Sequence, residues 1–104
     1  MTELDEIIHQ PVRLRLMAAL VAIKTGESAD FTFLRDLLDV TDGNLGAHLH
    51  RLEEAGYIEL TKKFVDRKPR TFIAATAEGR KVFRSQVAAL EEIIQSAGGT
   101  KRKN

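Results

Sequence analysis

Cysteine is absent from the chain, and with it go disulfides, thiolate metal sites and a cysteine nucleophile. The absence is compatible with any redox compartment. No apolar run is long enough to cross a bilayer, so no membrane span is expected. Glycine-rich phosphate loops of the GxxxxGK[ST] or GxGxxG kind are missing, and no nucleophile, base and acid stand in a credible triad, so no enzyme activity is expected. The opening MTELDEIIHQ is acidic and lacks an apolar segment, which argues against a secretory signal and makes the cytoplasm the expected location. His48 and His50 are two residues apart and would fall on different faces of a helix, so neither a metal pair nor any cofactor is predicted. Internal repeats and a second domain boundary are also missing. With 104 residues the chain is expected to form one core, and 43% hydrophobic against 30% charged residues is the balance of a soluble globular domain.

Charge is nearly balanced overall, at +1, but unevenly distributed. Residues 1–40 carry four basic and seven acidic groups, whereas residues 76–104 carry six and three. In between, Lys62, Lys63, Arg67, Lys68 and Arg70 crowd into nine residues against Asp66 alone. This run is a local positive patch on an otherwise neutral protein.

The most informative stretch is TDGNLGAHLHRLEEAGYI, from Thr41 to Ile58. Leu45, Leu49 and Leu52 recur at i, i+4 and i+7, one buried stripe of a helix. Thr41 is placed to cap its start, Asp42 puts an acid in the first turn, and Gly56 supplies the left-handed residue that ends it. Away from the leucines lie Gly43, Asn44, Ala47, His48, His50 and Arg51. A face of small and hydrogen-bonding groups suits the edges of nucleic-acid bases; the bland alternative is a merely solvated helix surface.

Taken in order, Leu4, Ile7 and Ile8 form a short amphipathic turn before Pro11, which fits the first position of a helix. Residues 12–24 then place Leu16, Leu20 and Ile23 on one stripe, with Leu14, Met17 and Val21 beside it, as a central core helix. Residues 25–29 read as a loop, Thr32 as a cap, and residues 33–38 as a short helix, with about three residues separating it from the next. Two short helices so joined suggest a helix-turn-helix. After Gly56 the period changes to two: Ile58 and Leu60 alternate with Tyr57 and Glu59, and residues 71–75 form a second β-leaning run. Residues 65–69 carry turn chemistry, with Pro69 acceptable only at a turn or an edge. From Thr76 a long helix runs to about residue 97, with Phe83, Val87, Leu90 and Ile94 spaced four, three and four, close to a coiled-coil seam. The expected division is a single unit over residues 1–97 and a basic flexible tail over residues 98–104.

The order of helix, helix, helix, hairpin and long helix is that of a winged helix, mainly α with a small β-hairpin. On four segments the chain resembles winged-helix transcription regulators of the MarR and ArsR type. These are Pro11-Val12-Arg13-Leu14-Arg15-Leu16; Phe33-Leu34-Arg35-Asp36-Leu37-Leu38; Gly43 to Leu49 with Leu52 to Ile58; and Arg67-Lys68-Pro69-Arg70-Thr71. The resemblance covers residues from about 9 to 84. It implies a homodimer that regulates transcription, expected as a repressor, by binding double-stranded DNA. Helix 41–55 would enter the major groove through Thr41, Gly43, Asn44, Ala47, His48 and Arg51. A wing over residues 62–70 would meet phosphate or the minor groove through Lys62, Lys63, Arg67, Lys68 and Arg70. Leu4, Ile7, Ile8, Phe83, Val87, Leu90 and Ile94 would form the dimer contact. Many relatives carry Ser at position 46 and a basic residue at 47, where this chain has Gly46 and Ala47. Gly43 and Gly46 should each weaken the helix by roughly 1 kcal/mol relative to Ala.

Alternatives stay open on residues alone. Asn can pair bidentately with adenine, and Arg or His can reach guanine acceptors. Arg67 would either neutralise phosphate or enter a narrow A·T-rich minor groove. Arg13 and Arg15 would touch phosphate or form surface ion pairs. The Phe83 to Ile94 seam would be either intramolecular core or dimer interface. A winged-helix module for protein association within a transcription complex is the second functional reading; it predicts an apolar third helix and a neutral wing. No effector ligand can be named.

Overall fold

The computed structural model describes residues 5–98. Leu4 and the basic stretch 99–104, expected at a dimer contact and in a tail, lie outside the described residues. The chain folds as α1 (Pro11–Val21), β1 (Ala29–Asp30), α2 (Phe31–Leu38), α3 (Asp42–Glu54), β2 (Ile58–Val65), β3 (Lys68–Ala75) and α4 (Ala77–Gly98).

Local signals place the helix ends. Gln10 caps α1, its side chain accepting from the Arg13 amide at 3.0 Å, and Pro11 follows in the first turn. The cap of α2 is Asp30 rather than Thr32; its carboxylate accepts from the Thr32 amide, so the helix starts two residues before the expected Phe33. Asp39 ends α2 in the left-handed region, at φ 57°, with the Val40 amide bonded back to Arg35 O and its own amide to Asp36 O. Gly56, at φ 83°, ends α3 in the same way: its amide reaches Glu53 O and that of Tyr57 reaches Leu52 O. Both are Schellman closures, in which the residue past the helix folds back to satisfy the last carbonyls. Thr76 caps α4 through a bond from the Gly79 amide to its Oγ.

The core is built from one stripe of each element. Leu16, Met17 and Leu20 of α1, Leu34 and Leu38 of α2, Leu45, Leu49 and Leu52 of α3, and Ile58 and Ile73 of the sheet are all buried together. Each such side chain contributes about 1.5–3 kcal/mol relative to exposure. Ile8 is fully buried in this cluster and Ile7 packs against it. Ile8, expected at a subunit interface, is therefore corrected to a core residue of its own chain. Asp5 holds that turn, accepting from the amides of Ile7 and Ile8 and from the Tyr57 hydroxyl at 2.7 Å. Burial and the Asp5 carboxylate push the Tyr57 phenol up to about 12.

The sheet is antiparallel, in the order β1-β3-β2. β1, read as loop from the sequence, pairs Ala29 with Ile73 and Asp30 with Phe72, while β2 pairs with β3 from Ile58↔Ala75 to Val65↔Lys68. The turn is therefore narrower than expected, and Pro69 lies within β3. It is tolerated because β1 reaches only as far as Phe72, which leaves β3 an edge at Pro69.

α4 packs along α1 and β3 at its start, then leaves the body of the molecule. A Cβ on Gly79 would stand 2.0 Å from the Tyr57 carbonyl oxygen, so only glycine allows this approach. Arg80 donates to Val21 O and Ile23 O, closing the C-terminal end of α1. Val82 and Phe83 pack on the core, and Gln86 and Ala89 are buried, but every residue from Glu91 to Ala97 is exposed. Phe83 thus packs against the core of its own chain while staying partly exposed. Twenty-two helical residues span roughly 33 Å, against a long axis of 60 Å.

Candidate nucleic-acid interface

α3 presents two opposed faces. Leu45, Leu49 and Leu52 are at most 1% exposed, while Thr41, Gly43, Asn44, Ala47 and Arg51 lie open to solvent on the other side. The Thr41 hydroxyl accepts from the Asn44 amide at 3.1 Å and so fixes the first turn. Arg35 of α2 reaches Asp42 at 2.8 Å, tying the two helices across their three-residue connection.

His48 differs from its neighbours. It is half-buried, and its Nδ1 stands 3.1 Å from the Arg13 guanidinium of α1. A guanidinium can only donate, so Nδ1 is the acceptor and the neutral ring carries its proton on Nε2, which becomes a donor. Burial first, and the Arg13 charge second, push the His48 pKa below its ordinary 6.5. Arg13 also donates from Nε to Ile7 O. Burial and the nearby Arg51 charge lower its own pKa, so Arg13 and Arg51 place two cations beside one another at this end of the surface. Among the described residues Arg13 forms no ion pair; it braces α1 against α3. His50 turns the other way, to Glu54 at 3.3 Å.

The wing turns at Asp66 and Arg67, both left-handed, at φ 53° and 67°. This two-residue turn matches the twist of the strands it joins. The five wing cations do not share one environment. Lys63 Nζ sits 5.1 Å from the centre of the Phe72 ring, and Arg70 pairs with Asp30 at the cap of α2. The bond from Arg70 holds the Asp30 carboxyl below the usual carboxylate range. Among the described residues no ion pair takes up Lys62, Arg67 or Lys68. All five are exposed.

Between wing and helix runs a cleft of about 290 Å³, lined by Phe31, Gly46, Leu49, His50, Glu53, Leu60, Lys62 and Thr71. A Cβ at Gly46 would meet nothing within 4 Å, so the cleft has room for a side chain there. A second opening, of about 520 Å³, lies along Asp30 to Thr32 and Lys68 to Thr71. Two features of this surface escaped the sequence reading: the Arg13–His48 brace and the exposed Phe64. The period-two pattern of β2 continues to Phe64 and could have signalled the second; nothing local signals the first.

A polar helix face presented beside a basic hairpin, on a trihelical core, defines a winged-helix nucleic-acid-binding domain. Residues 12–94 match the family model of the winged helix DNA-binding domain, and the chain belongs to that family. A transcriptional regulator homologue from Pyrococcus horikoshii is 31% identical and superposes with a TM-score of 0.80 over 89% of each chain. An uncharacterised protein of Methanocaldococcus jannaschii is 34% identical over 90 residues, 86% of this chain and 91% of its own. A MarR-family protein from Enterococcus faecalis, 22% identical, shares the fold alone, with a TM-score of 0.73 over 92% of this chain and 84% of its own. No helix among the described residues is long and apolar enough to cross a membrane.

Proposed function

We propose that the protein is a cytoplasmic, homodimeric transcription regulator that binds double-stranded DNA and represses by occupying its site. No enzymatic step is assigned to it, and residues 1–97 act as one DNA-binding unit. α3 enters the major groove with Thr41, Gly43, Asn44, Ala47, His48 and Arg51, and the wing meets phosphate or the minor groove through Lys62, Arg67 and Lys68, with Lys63 and Arg70 partly committed within the chain. One observation carries the reading: α3 is anchored by three buried leucines while its opposite face, small and polar, is exposed next to unpaired wing cations. A major groove admits one helix, and base edges there offer acceptors and donors to such side chains.

Dimerisation rests on the distal part of α4, where Val87, Ile93 and Ile94 are 36%, 49% and 65% exposed and Leu90 is half-buried. Titrating duplexes enriched from a random-sequence library across salt concentrations tests the DNA reading; affinity should fall steeply with salt as phosphate counterions are released. A flat dependence rejects it. Sedimentation of the wild type and of a Leu90→Glu, Ile94→Glu variant tests the dimer, and a monomeric wild type rejects that part. Protein association, the second reading, is favoured only by α2, where Phe33 and Leu37 are 56% and 50% exposed one turn apart.

A further inference from the structure

The wing has two unlike faces. In an antiparallel ladder, directly opposed residues share a face and alternate along each strand. Lys63, Phe72, Arg70 and Asp30 therefore share the outer face, and there the charges are already answered: Lys63 lies over Phe72, and Arg70 pairs with Asp30. The inner face continues the core. Ile58, Leu60, Lys62 and Phe64 follow one another along β2, opposite Ala75, Ile73, Thr71 and Pro69. Ile58 and Ile73 are buried and Leu60 packs on the core, but the core ends there. Phe64, opposite Pro69, stands 76% exposed, more than any other large apolar side chain among the described residues.

Position and charge say what covers it. The inner face lines the cleft shared with α3 as far as Lys62, and Phe64 follows two residues further out on the same face of β2. Four residues of strand put the ring roughly 13 Å beyond Leu60, comparable to a major-groove width of about 12 Å. With α3 seated in that groove, the wing tip crosses the backbone to the adjacent minor groove. Lys62 on the same face and Arg67 at the tip stand ready for the flanking phosphates.

We infer that Phe64, backed by Pro69, is an apolar wedge that enters the minor groove and unstacks one base step, bending the duplex. Apolar side chains do this where a protein grips the minor groove, and pyrimidine–purine steps yield most easily. Phe64 thus makes the wing a reader of deformability, which adds a preference for TA or CA steps to what α3 reads directly. The inference rests on the DNA-binding reading above.

The test compares wild type, Phe64→Ala and Phe64→Leu on a duplex enriched by the wild type, dye-labelled at both ends and carrying 2-aminopurine at successive adenines. The wild type should bring the ends together and raise 2-aminopurine fluorescence at one pyrimidine–purine step per wing. Phe64→Ala should leave the melting temperature and the salt slope unchanged. It should straighten the duplex and weaken binding about tenfold, toward the affinity for a duplex whose step is replaced by a stiff A-tract. Phe64→Leu, still a wedge, should keep the bend. A salt-sensitive complex in which the fluorescence stays quenched throughout and Phe64→Ala binds as wild type overturns the wedge alone. Failure of the wild type to form any salt-sensitive complex overturns the DNA reading and the wedge with it.

Discussion

α3 and the wing meet the same solvent with very different support. The helix is held by a leucine stripe, a threonine cap, a Schellman closure at Gly56 and the Arg13 brace from α1. The outer half of the wing has its ladder, a lysine over a ring and one ion pair to Asp30. Base edges are discriminated by hydrogen bonds of fixed geometry and require a rigid reader, whereas a phosphate backbone or a deformable groove is gripped well by a compliant one. The two regions differ accordingly in how far they can open without unfolding the rest.

The sharpest way to break this contrast is to remove the anchor of the rigid partner. Leu49→Ala should cost about 2–5 kcal/mol of stability in denaturant unfolding, since it empties a site that is 1% exposed. A cost below about 1 kcal/mol would mean that α3 is not held as described.

Next in size is a comparison on DNA. Asn44→Ala should lose roughly 1–3 kcal/mol on an enriched duplex and little on random DNA, because a residue in the first turn of α3 meets base edges. Arg67→Ala should weaken both by similar factors if it meets phosphate. Equal losses for Asn44→Ala on both duplexes would put α3 on the backbone and erase the distinction.

Smaller still is the tether of the wing. Arg70→Ala should change global stability by less than about 1 kcal/mol, as for other exposed ion pairs. Amide exchange in the outer wing should nevertheless quicken while that of α3 stays unchanged. Uniform exchange across both would show that Asp30 does not position the hairpin.

The smallest effect tests the brace by pH. The His48 pKa is lowered in the fold, so as pH falls through 6.5 the unfolded chain takes up the proton first and stability declines. Melting midpoints between pH 7.5 and about 5.5 should fall more steeply for wild type than for His48→Gln, whose amide oxygen can still accept from Arg13. Parallel profiles would show that His48 does not contribute to that slope.

Much of the architecture could be read from the chain. The spacing of Leu45, Leu49 and Leu52 and the capping chemistry at Pro11, Thr41 and Gly56 depend on residues within a turn or two, and each helix formed near the expected place. The two-residue β1 could not be read, because Ala29 and Asp30 become a strand only by pairing with Ile73 and Phe72, more than forty residues away. Of the candidate site, the polar face of α3 was visible for the same local reason. That Arg13 and His48 meet, thirty-five residues apart, was not.

The sequence by itself determined the four helices and the hairpin to within a few residues, and that a small polar helix face precedes a basic hairpin. Hydrogen bonding along a helix and alternation along a strand reach only a few residues, so composition and spacing suffice for these. The tertiary structure alone decided which partner each apolar or charged side chain meets. It buried Ile8 within its own chain, divided the stripe of α4 between Phe83 against the core and Ile94 outside, and left Phe64 open where the core ends. It also set aside Arg70 and Lys63 from the other wing cations. The physical reason is that burial and ion pairing depend on proximity in space, which the packing of all the elements together establishes and no single segment encodes.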